Sequence, residues 1–208
     1  MNCKVEKSKV SGHITCPANK SYSHRAIFLA SLAGNNSKID NVLFSADTIA
    51  TIEACRNFGA EIEEVNTSII VRKPIKTDKI VPEIDAKNSG TTIRIASGIA
   101  SLFTKEITLT GDSSLQKRPM QPLLDALESI GAKCSSTNGM PPIKITGRIL
   151  GGDVSIPGNF SSQFISALLI CAPLTEKGMN LTIEGNLVSK PYLDATIATM
   201  RNFGVTVQ

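Results

Sequence analysis

The chain has 208 residues, a formal net charge of +4, few aromatic side chains and no tryptophan. These features count against a nucleic-acid binder and favour a small anionic substrate. Five scattered cysteines without a CxxC pair, and no apolar run long enough for a membrane helix, predict a reduced, cytoplasmic protein without a membrane partner. His13 and His24 lack metal-ligand spacing, so these histidines predict no metal site.

The first third of the chain alternates between strand and helix signals. Gly34-Asn35-Asn36 is a typical helix end, and Gly59 ends a second helix. The predicted elements are strand 12–16, helix 21–33, strand 37–43, a helix from Ser45 or Asp47 to Phe58, and hairpin strands 60–65 and 68–72.

The same order then recurs twice. The second copy predicts strand 83–86, helix 90–103, strand 106–110, helix 122–131, and strands 133–135 and 143–146. The third copy predicts strand 153–156, helix 161–174, strand 179–184 and helix 191–203, and the chain stops at Gln208 within the first strand of the last hairpin. We therefore predict an α/β fold of three repeated β-α-β-α-β-β units, at about 13–73, 82–149 and 150–208, with the third unit incomplete.

The first helices of the second and third copies are apolar on nearly every side, over residues 93–102 and 164–171. Such helices are buried inside a domain, where each large apolar side chain contributes about 2 kcal/mol. We expect one lobe over residues 13–208, with helices in the middle and sheets outside.

Each copy begins its first helix with small polar residues. Because helix N-termini carry free N–H groups and a partial positive charge, three of them together predict an anion site. Each side chain could instead be an ordinary N-cap. The candidates are Lys20, Ser21, Asn88, Gly90, Thr91, Ser161, Ser162 and Gln163.

Arginines add a second signal. Arg118 precedes a helix, where it either binds a carboxylate or phosphate in bidentate fashion or lies on the surface. Arg25 and Arg94 lie one turn inside buried helices and need an anionic partner, either Asp47 or the ligand. Tyr192 has a core role or contacts substrate.

Four segments in order resemble the N-terminal half of the 5-enolpyruvylshikimate-3-phosphate synthase family. The segments are Asn19 to Ala26, Asn88 to Arg94, Lys117 to Met120 with Pro122 to Leu127, and Ser161 to Phe164 with Leu187 to Tyr192. The resemblance covers the chain from Val10 onward. It implies a two-lobed fold in which each lobe has three such units and the lobes close over the substrates.

The resemblance also implies residue roles. Lys20 would contact both substrates and is the catalytic candidate. Shikimate 3-phosphate would be held by Lys20, Ser21, Arg25, Ser161, Ser162, Gln163, Ser189 and Tyr192. Phosphoenolpyruvate would be held by Lys20, Asn88, Gly90, Arg118 and Gln163. Ser89 and Ile95 depart from the family's commoner residues, while the retained Gly90 implies a site that accommodates glyphosate-type inhibitors.

The resemblance implies that the whole protein adds the 5-hydroxyl of shikimate 3-phosphate to phosphoenolpyruvate and releases phosphate, with no metal or organic cofactor. The family takes its proton-transfer Asp, Glu and Lys from a C-terminal lobe that these residues do not include, so we expect this half to be inactive alone. Segment 1–12 would lie beside that missing lobe. An open sheet edge at 205–207 predicts self-association.

Two alternatives remain. The UDP-N-acetylglucosamine enolpyruvyl transferase shares the fold, but it pairs its early Lys with Asn and has a reactive Cys where residues 111–119 have none. A non-catalytic anion-binding lobe is the other, although it would need a completed third unit.

Overall fold

The computed structural model describes residues 3–76 and 80–208. The elements in chain order are α1 Lys20–Leu32, β1 Ser37–Ile39, α2 Ala46–Asn57, β2 Glu61–Val65, β3 Ser68–Lys73, β4 Glu83–Asp85, α3 Gly90–Ala100, β5 Ile107–Thr110, α4 Gln121–Ser129, β6 Lys133–Thr137, β7 Met140–Thr146, β8 Gly152–Pro157, α5 Ser162–Cys171, β9 Met179–Glu184 and α6 Lys190–Asn202. Short 3-10 turns lie at Leu115–Lys117 and Ala172–Leu174.

The strands form three sheets with related topology. The four-stranded sheet has the order β4-β5-β7-β6, in which β4 and β5 are parallel and the other pairs are antiparallel. The antiparallel sheet β1-β3-β2 repeats the arrangement of β5-β7-β6, the last three strands of the four-stranded sheet. The parallel pair β8-β9 repeats the arrangement of β4-β5, its first two strands. Parallel neighbours require a crossover, and α3 and α5 provide it.

The core lies between the helices and the inner faces of the sheets. Ile93, Ile95 and Ile99 of α3 are fully buried, and α3 packs against α5. The two helices approach so closely at Gly98 that a Cβ there would lie 3.0 Å from the carbonyl oxygen of Ala167. In β7, buried and exposed side chains alternate, so one face packs inward and the other faces solvent. The predicted α/β fold with buried helices is confirmed.

Most predicted elements match the structure to within a few residues, but the ends of the chain do not. Residues 12–16, predicted as a strand, are exposed without regular structure, and residues 205–207 form no strand either. A strand needs a neighbour that accepts and donates its backbone hydrogen bonds, and within residues 3–76 and 80–208 neither segment has one. The first unit as observed is therefore α-β-α-β-β rather than β-α-β-α-β-β.

Three elements end three or four residues earlier than predicted. The strand predicted at 37–43 ends at Ile39, because Asn41 takes a left-handed conformation with φ of 54° that an extended strand does not allow. The α3 helix ends at Ala100 rather than at Phe103. The α5 helix ends at Cys171, since the ring of Pro173 is incompatible with a continuing α-helix.

Candidate functional site

The three central helices have N-caps at equivalent positions. Oδ1 of Asn19 accepts a hydrogen bond from the Tyr22 N–H at 3.0 Å, and Oγ of Ser89 accepts from the Thr92 N–H at 3.2 Å. Oγ of Ser161 accepts from the Gln163 N–H at 3.3 Å. The interpretation as an N-cap is therefore correct for Ser161. The other predicted residues at these helix starts are not the N-caps of the helices.

Eight of the predicted side chains line one cavity of about 320 Å³. We call it the serine cavity, because four of its lining residues are serines. Its lining combines the starts of α1, α3, α5 and α6, which the chain separates by up to 170 residues. The lining residues are Lys20, Ser21, Thr91, Phe160, Ser161, Ser162, Gln163, Val188, Ser189 and Tyr192.

Three hydroxyl groups of the serine cavity are unengaged. The side chains of Ser21, Ser162 and Ser189 make no hydrogen bond with the described residues, although the backbone carbonyls of all three accept one. Ser189 precedes α6 with φ of 61°, a left-handed conformation that is uncommon outside glycine, and it does not cap the helix. Hydroxyls free to donate beside helix N-termini are suited to binding phosphate oxygens.

Lys20 and Gln163 are held in place by neighbours. The Lys20 ammonium lies 2.7 Å from a carboxylate oxygen of Asp47 in a half-exposed ion pair. The Gln163 carbonyl oxygen accepts from Arg94 at 2.6 Å, and its amide donates to Oγ1 of Thr91 at 2.9 Å. These bonds orient the Gln163 amide at the edge of the cavity.

A second predicted set is also assembled. The Arg118 guanidinium donates to Oδ1 of Asn88 at 2.9 Å and lies against the Cα of Gly90, and we call these three residues the Gly90 cluster. The Asn88 amide in turn donates to Asp112 at 2.6 Å. This hydrogen bond is the main reason that the pKa of the Asp112 carboxyl lies below its usual value.

The electrostatics favour an anion between the two sets. Burial, and then the positive charge of Arg118, lowers the pKa of the Arg94 guanidinium. Arg94 also lies over the ring of Phe164, with its central carbon 5.0 Å from the ring centroid, and its Nε is buried without a partner. Two cations that repel each other without a carboxylate between them are both stabilised when an anion binds.

Arg25 is placed differently from the prediction. It is 1% exposed, lies behind the serine cavity, and does not pair with Asp47. Its guanidinium donates instead to neutral oxygens of four residues at 2.6 to 3.1 Å, namely Ser21, Ser166, Tyr192 and Thr196. Burial accordingly lowers the pKa of Arg25. The expected anionic partner is absent among the described residues, because these hydroxyl and carbonyl oxygens satisfy the cation.

Sequence reasoning missed part of the site. Phe160 and Val188 line the serine cavity, and no site prediction named them. Thr91 and Arg94 were anion-site candidates without an assigned substrate, and Arg94 bonds both Ser161 and Gln163. The positions of Phe160 and Val188 next to Ser161 and Ser189 were the available signal. Asn88 lines a neighbouring depression of about 360 Å³ together with Asp47 and Asp112 rather than the serine cavity.

The described residues hold no candidate metal centre and no helix long and apolar enough to cross a bilayer. What the fold and the site define is an α/β lobe whose buried helices direct N–H groups, hydroxyls and cations toward one surface. A sequence model of the family described as EPSP synthase (3-phosphoshikimate 1-carboxyvinyltransferase) matches residues 5–208. The chain belongs to this family.

Relatives agree in sequence and in structure. The chain is 80% identical over 208 residues to the 3-phosphoshikimate 1-carboxyvinyltransferase of Nitrosopumilus maritimus, covering 100% of the chain and 49% of the relative. It is 45% identical to the Methanosphaera stadtmanae protein of the same name, covering 99% and 50%. EPSP synthase from Acinetobacter baumannii superimposes with a TM-score of 0.83 at 30% identity, over 95% of this chain and 44% of that one. The chain spans about half the length of the curated relatives it matches.

Proposed function

We propose that the protein containing this chain transfers the enolpyruvyl group of phosphoenolpyruvate to the 5-hydroxyl of shikimate 3-phosphate and releases phosphate. The observation that carries the proposal is the serine cavity, with three unengaged hydroxyls and a lysine at helix N-termini. Family membership and the name shared by the curated relatives support the reaction.

Shikimate 3-phosphate is the proposed occupant of the serine cavity. Its phosphate would accept hydrogen bonds from the free hydroxyls of Ser21, Ser162 and Ser189 and from helix N–H groups, and its ring would lie beside Tyr192. Arg25 would contribute indirectly, because its hydrogen bonds to the backbone carbonyls of Ser21 and Tyr192 fix the positions of two residues that line the cavity.

Phosphoenolpyruvate is the proposed ligand of the Gly90 cluster. Arg118 would bind its carboxylate or phosphate, and the bare Cα of Gly90 leaves room for that guanidinium. Lys20 and Gln163 would lie between the two ligands, where Lys20 neutralises charge that develops in the addition step. Glyphosate-type inhibitors, as small anions, would compete for the same cluster.

Proton transfer is proposed to depend on residues outside this chain. Lys20 and Tyr192 are the titratable side chains that line the serine cavity within the described residues. This half would then position both substrates and neutralise their charge, while the remainder of the protein supplies most of the acid–base chemistry. We accordingly expect no phosphate release by residues 1–208 alone.

Steady-state kinetics on the full-length protein tests the assignment. Arg118→Ala should raise the KM for phosphoenolpyruvate at least tenfold more than the KM for shikimate 3-phosphate, because a charge-assisted pair is worth about 2 kcal/mol. Ser162→Ala should mainly raise the KM for shikimate 3-phosphate, by about fivefold for one hydroxyl bond. Ser162 is preferable to Ser161 here, because Ser161 also caps α5.

Arg72→Ala is the matched control, since Arg72 is an exposed arginine on β3 that pairs with Glu63 away from the site. Its kinetics should equal those of the unmodified protein. Equal changes in both KM values for Arg118→Ala and Ser162→Ala, or turnover by the isolated chain in a preparation free of host enzyme, would contradict the proposal.

A further inference from the structure

A chain of buried polar side chains joins the first two helices to the third. Nδ1 of His24 on α1 lies 2.6 Å from Oγ1 of Thr51 on α2, and Thr51 lies 2.7 Å from Oγ1 of Thr92 on α3. Thr92 donates to Oγ of Ser89 at 2.6 Å. We call these four residues the hydroxyl chain, and each is at most 1% exposed.

The hydrogens of the hydroxyl chain can be counted. Thr92 has one hydroxyl hydrogen, and its nearest acceptor is Oγ of Ser89 at 2.6 Å rather than the Asp47 carbonyl oxygen at 3.3 Å. With that hydrogen donated to Ser89, the 2.7 Å Thr51–Thr92 bond uses the hydrogen of Thr51, whose contact with the Asp47 carbonyl oxygen is longer at 3.4 Å. The His24–Thr51 bond then requires a hydrogen on Nδ1 of His24. With the hydrogen on Nδ1, the buried Nε2 of His24 is an unpaired acceptor rather than an unpaired N–H donor. A buried unpaired acceptor is the less costly of the two.

The ends of the hydroxyl chain lie beside both ligand sets. His24 is one turn after Lys20 on α1, and Thr51 is one turn after Asp47, the ion-pair partner of Lys20. At the other end, Ser89 caps α3 immediately before Gly90 and Thr91. Thr92 also contacts the carbonyl oxygen of Asp47 at 3.3 Å. The hydroxyl chain therefore spans from the Lys20 end of the site to the Gly90 end.

We propose that the hydroxyl chain is a positioning device that fixes the N-terminus of α3 relative to Lys20, so that His24, Thr51 and Thr92 set the geometry of the phosphoenolpyruvate site without touching the ligand. The kinetic part rests on the proposed function. The structural part, a His24 held as the Nδ1–H tautomer and coupled to the amides of Gly90 and Thr91, does not depend on it.

The structural part can be tested on the 208-residue polypeptide alone. Long-range proton–nitrogen NMR on the 208-residue chain with labelled histidine should show a neutral His24 with its hydrogen on Nδ1, the minor tautomer of free histidine. Thr51→Val should shift the amide resonances of Gly90 and Thr91, although the hydroxyl of Thr51 bonds neither residue among those that the structure describes. Finding the hydrogen on Nε2 in the unmodified chain would overturn the proposal, whether or not any variant folds.

Two further variants separate positioning from a general loss of stability. Thr199→Val is the matched control, since Thr199 is a buried threonine of α6 whose hydroxyl, among the described residues, bonds only the Ala195 carbonyl of its own helix. Thr51→Ser retains the hydroxyl and should restore the amide positions. A shift of Gly90 and Thr91 by Thr199→Val, or by Thr51→Ser as large as that by Thr51→Val, would also overturn the proposal.

Kinetics on the full-length protein then tests the link to the site. Thr51→Val should raise the KM for phosphoenolpyruvate about five- to tenfold, the cost of about one lost hydrogen bond, and the KM for shikimate 3-phosphate by less. The KM values of Thr51→Ser and Thr199→Val should stay within about twofold of those of the unmodified protein.

Equal KM values for Thr51→Val and Thr199→Val would refute positioning while leaving the proposed function intact. Absence of turnover in the unmodified protein would refute the proposed function, and the NMR result would still decide the structural part.

Discussion

Nη1 of Arg118 lies 2.7 Å from the point that a Cβ on Gly90 would occupy. Real Cβ atoms do not approach a neighbour so closely, so Gly90→Ala should push the guanidinium away and disturb its bond to Asn88. We predict a KM for phosphoenolpyruvate raised about tenfold or more, with stability unchanged or higher, because alanine favours a helix by about 1 kcal/mol. Kinetics and thermal unfolding of the full-length protein check both.

Gly34→Ala is the control for that substitution. A Cβ on Gly34 would meet nothing within 4 Å, so the same chemical change should leave the kinetics unaltered. An unchanged KM for phosphoenolpyruvate in Gly90→Ala would show that Arg118 either adapts or does not bind this substrate.

Replacing Arg25 should destabilise the fold as well as the site. Arg25→Met keeps the aliphatic length but removes the guanidinium, which donates to buried hydroxyl and carbonyl oxygens of α1, α5 and α6. We expect a loss of about 2–5 kcal/mol in the free energy of unfolding, measured with urea. Arg72→Met, at an exposed ion pair, should cost less than about 1 kcal/mol. Similar losses for the two variants would contradict the bracing role of Arg25.

His24 predicts a pH dependence of stability. Burial lowers its pKa from 6.5 to about 4, so between these values the unfolded chain binds a proton that the folded chain excludes. Stability should therefore fall as the pH is lowered from 6.5 to 4, and this histidine accounts for about 3 kcal/mol of the loss at the low end. The measurement is urea unfolding at several pH values.

The two histidines provide the comparison. His24→Asn should flatten the stability curve between pH 6.5 and 4, whereas His13→Asn, at an exposed position, should leave the slope unchanged. Carboxylates contribute to the slope in every variant, so the difference between the two variants is the relevant quantity. Equal slopes would mean that His24 titrates alike in both states.

Thiol labelling should divide the cysteines by burial. Cys3 and Cys16 are exposed, while Cys55 and Cys171 are fully buried, and burial raises the pKa of Cys55 and of Cys134 to about 12. At pH 8 a thiol with this pKa is ionised to about one part in ten thousand. We predict fast reaction of two thiols, and none when Cys3 and Cys16 are both replaced by serine. Fast reaction of a third thiol in the native chain would contradict this division.

Local patterns in the sequence predicted the helices well, while the assignment of residues to substrates stays a prediction. The apolar run in α3 and the polar residues before it are both local signals, and the helix N-termini brought Ser21, Ser162 and Ser189 to one cavity. The partners of Arg25 were out of reach, because neutral oxygens on α5 and α6 leave no charge pattern to recognise. The strand predicted at 12–16 failed for a related reason, since alternation of side chains says nothing about whether a neighbouring strand is present.

The bonds of Arg25 also determine when the site can form. Its partners Ser166, Tyr192 and Thr196 lie 141, 167 and 171 residues further along the chain. A ribosome adds about 5–20 residues per second, so α1 is made roughly ten seconds or more before α6 exists. Until then its guanidinium has only water and the Ser21 carbonyl to bind. Helix α1 is thus synthesised first, but the contacts of its arginine are completed last. A nascent chain stalled before Ser166 carries α1 with the Arg25 cation still unburied.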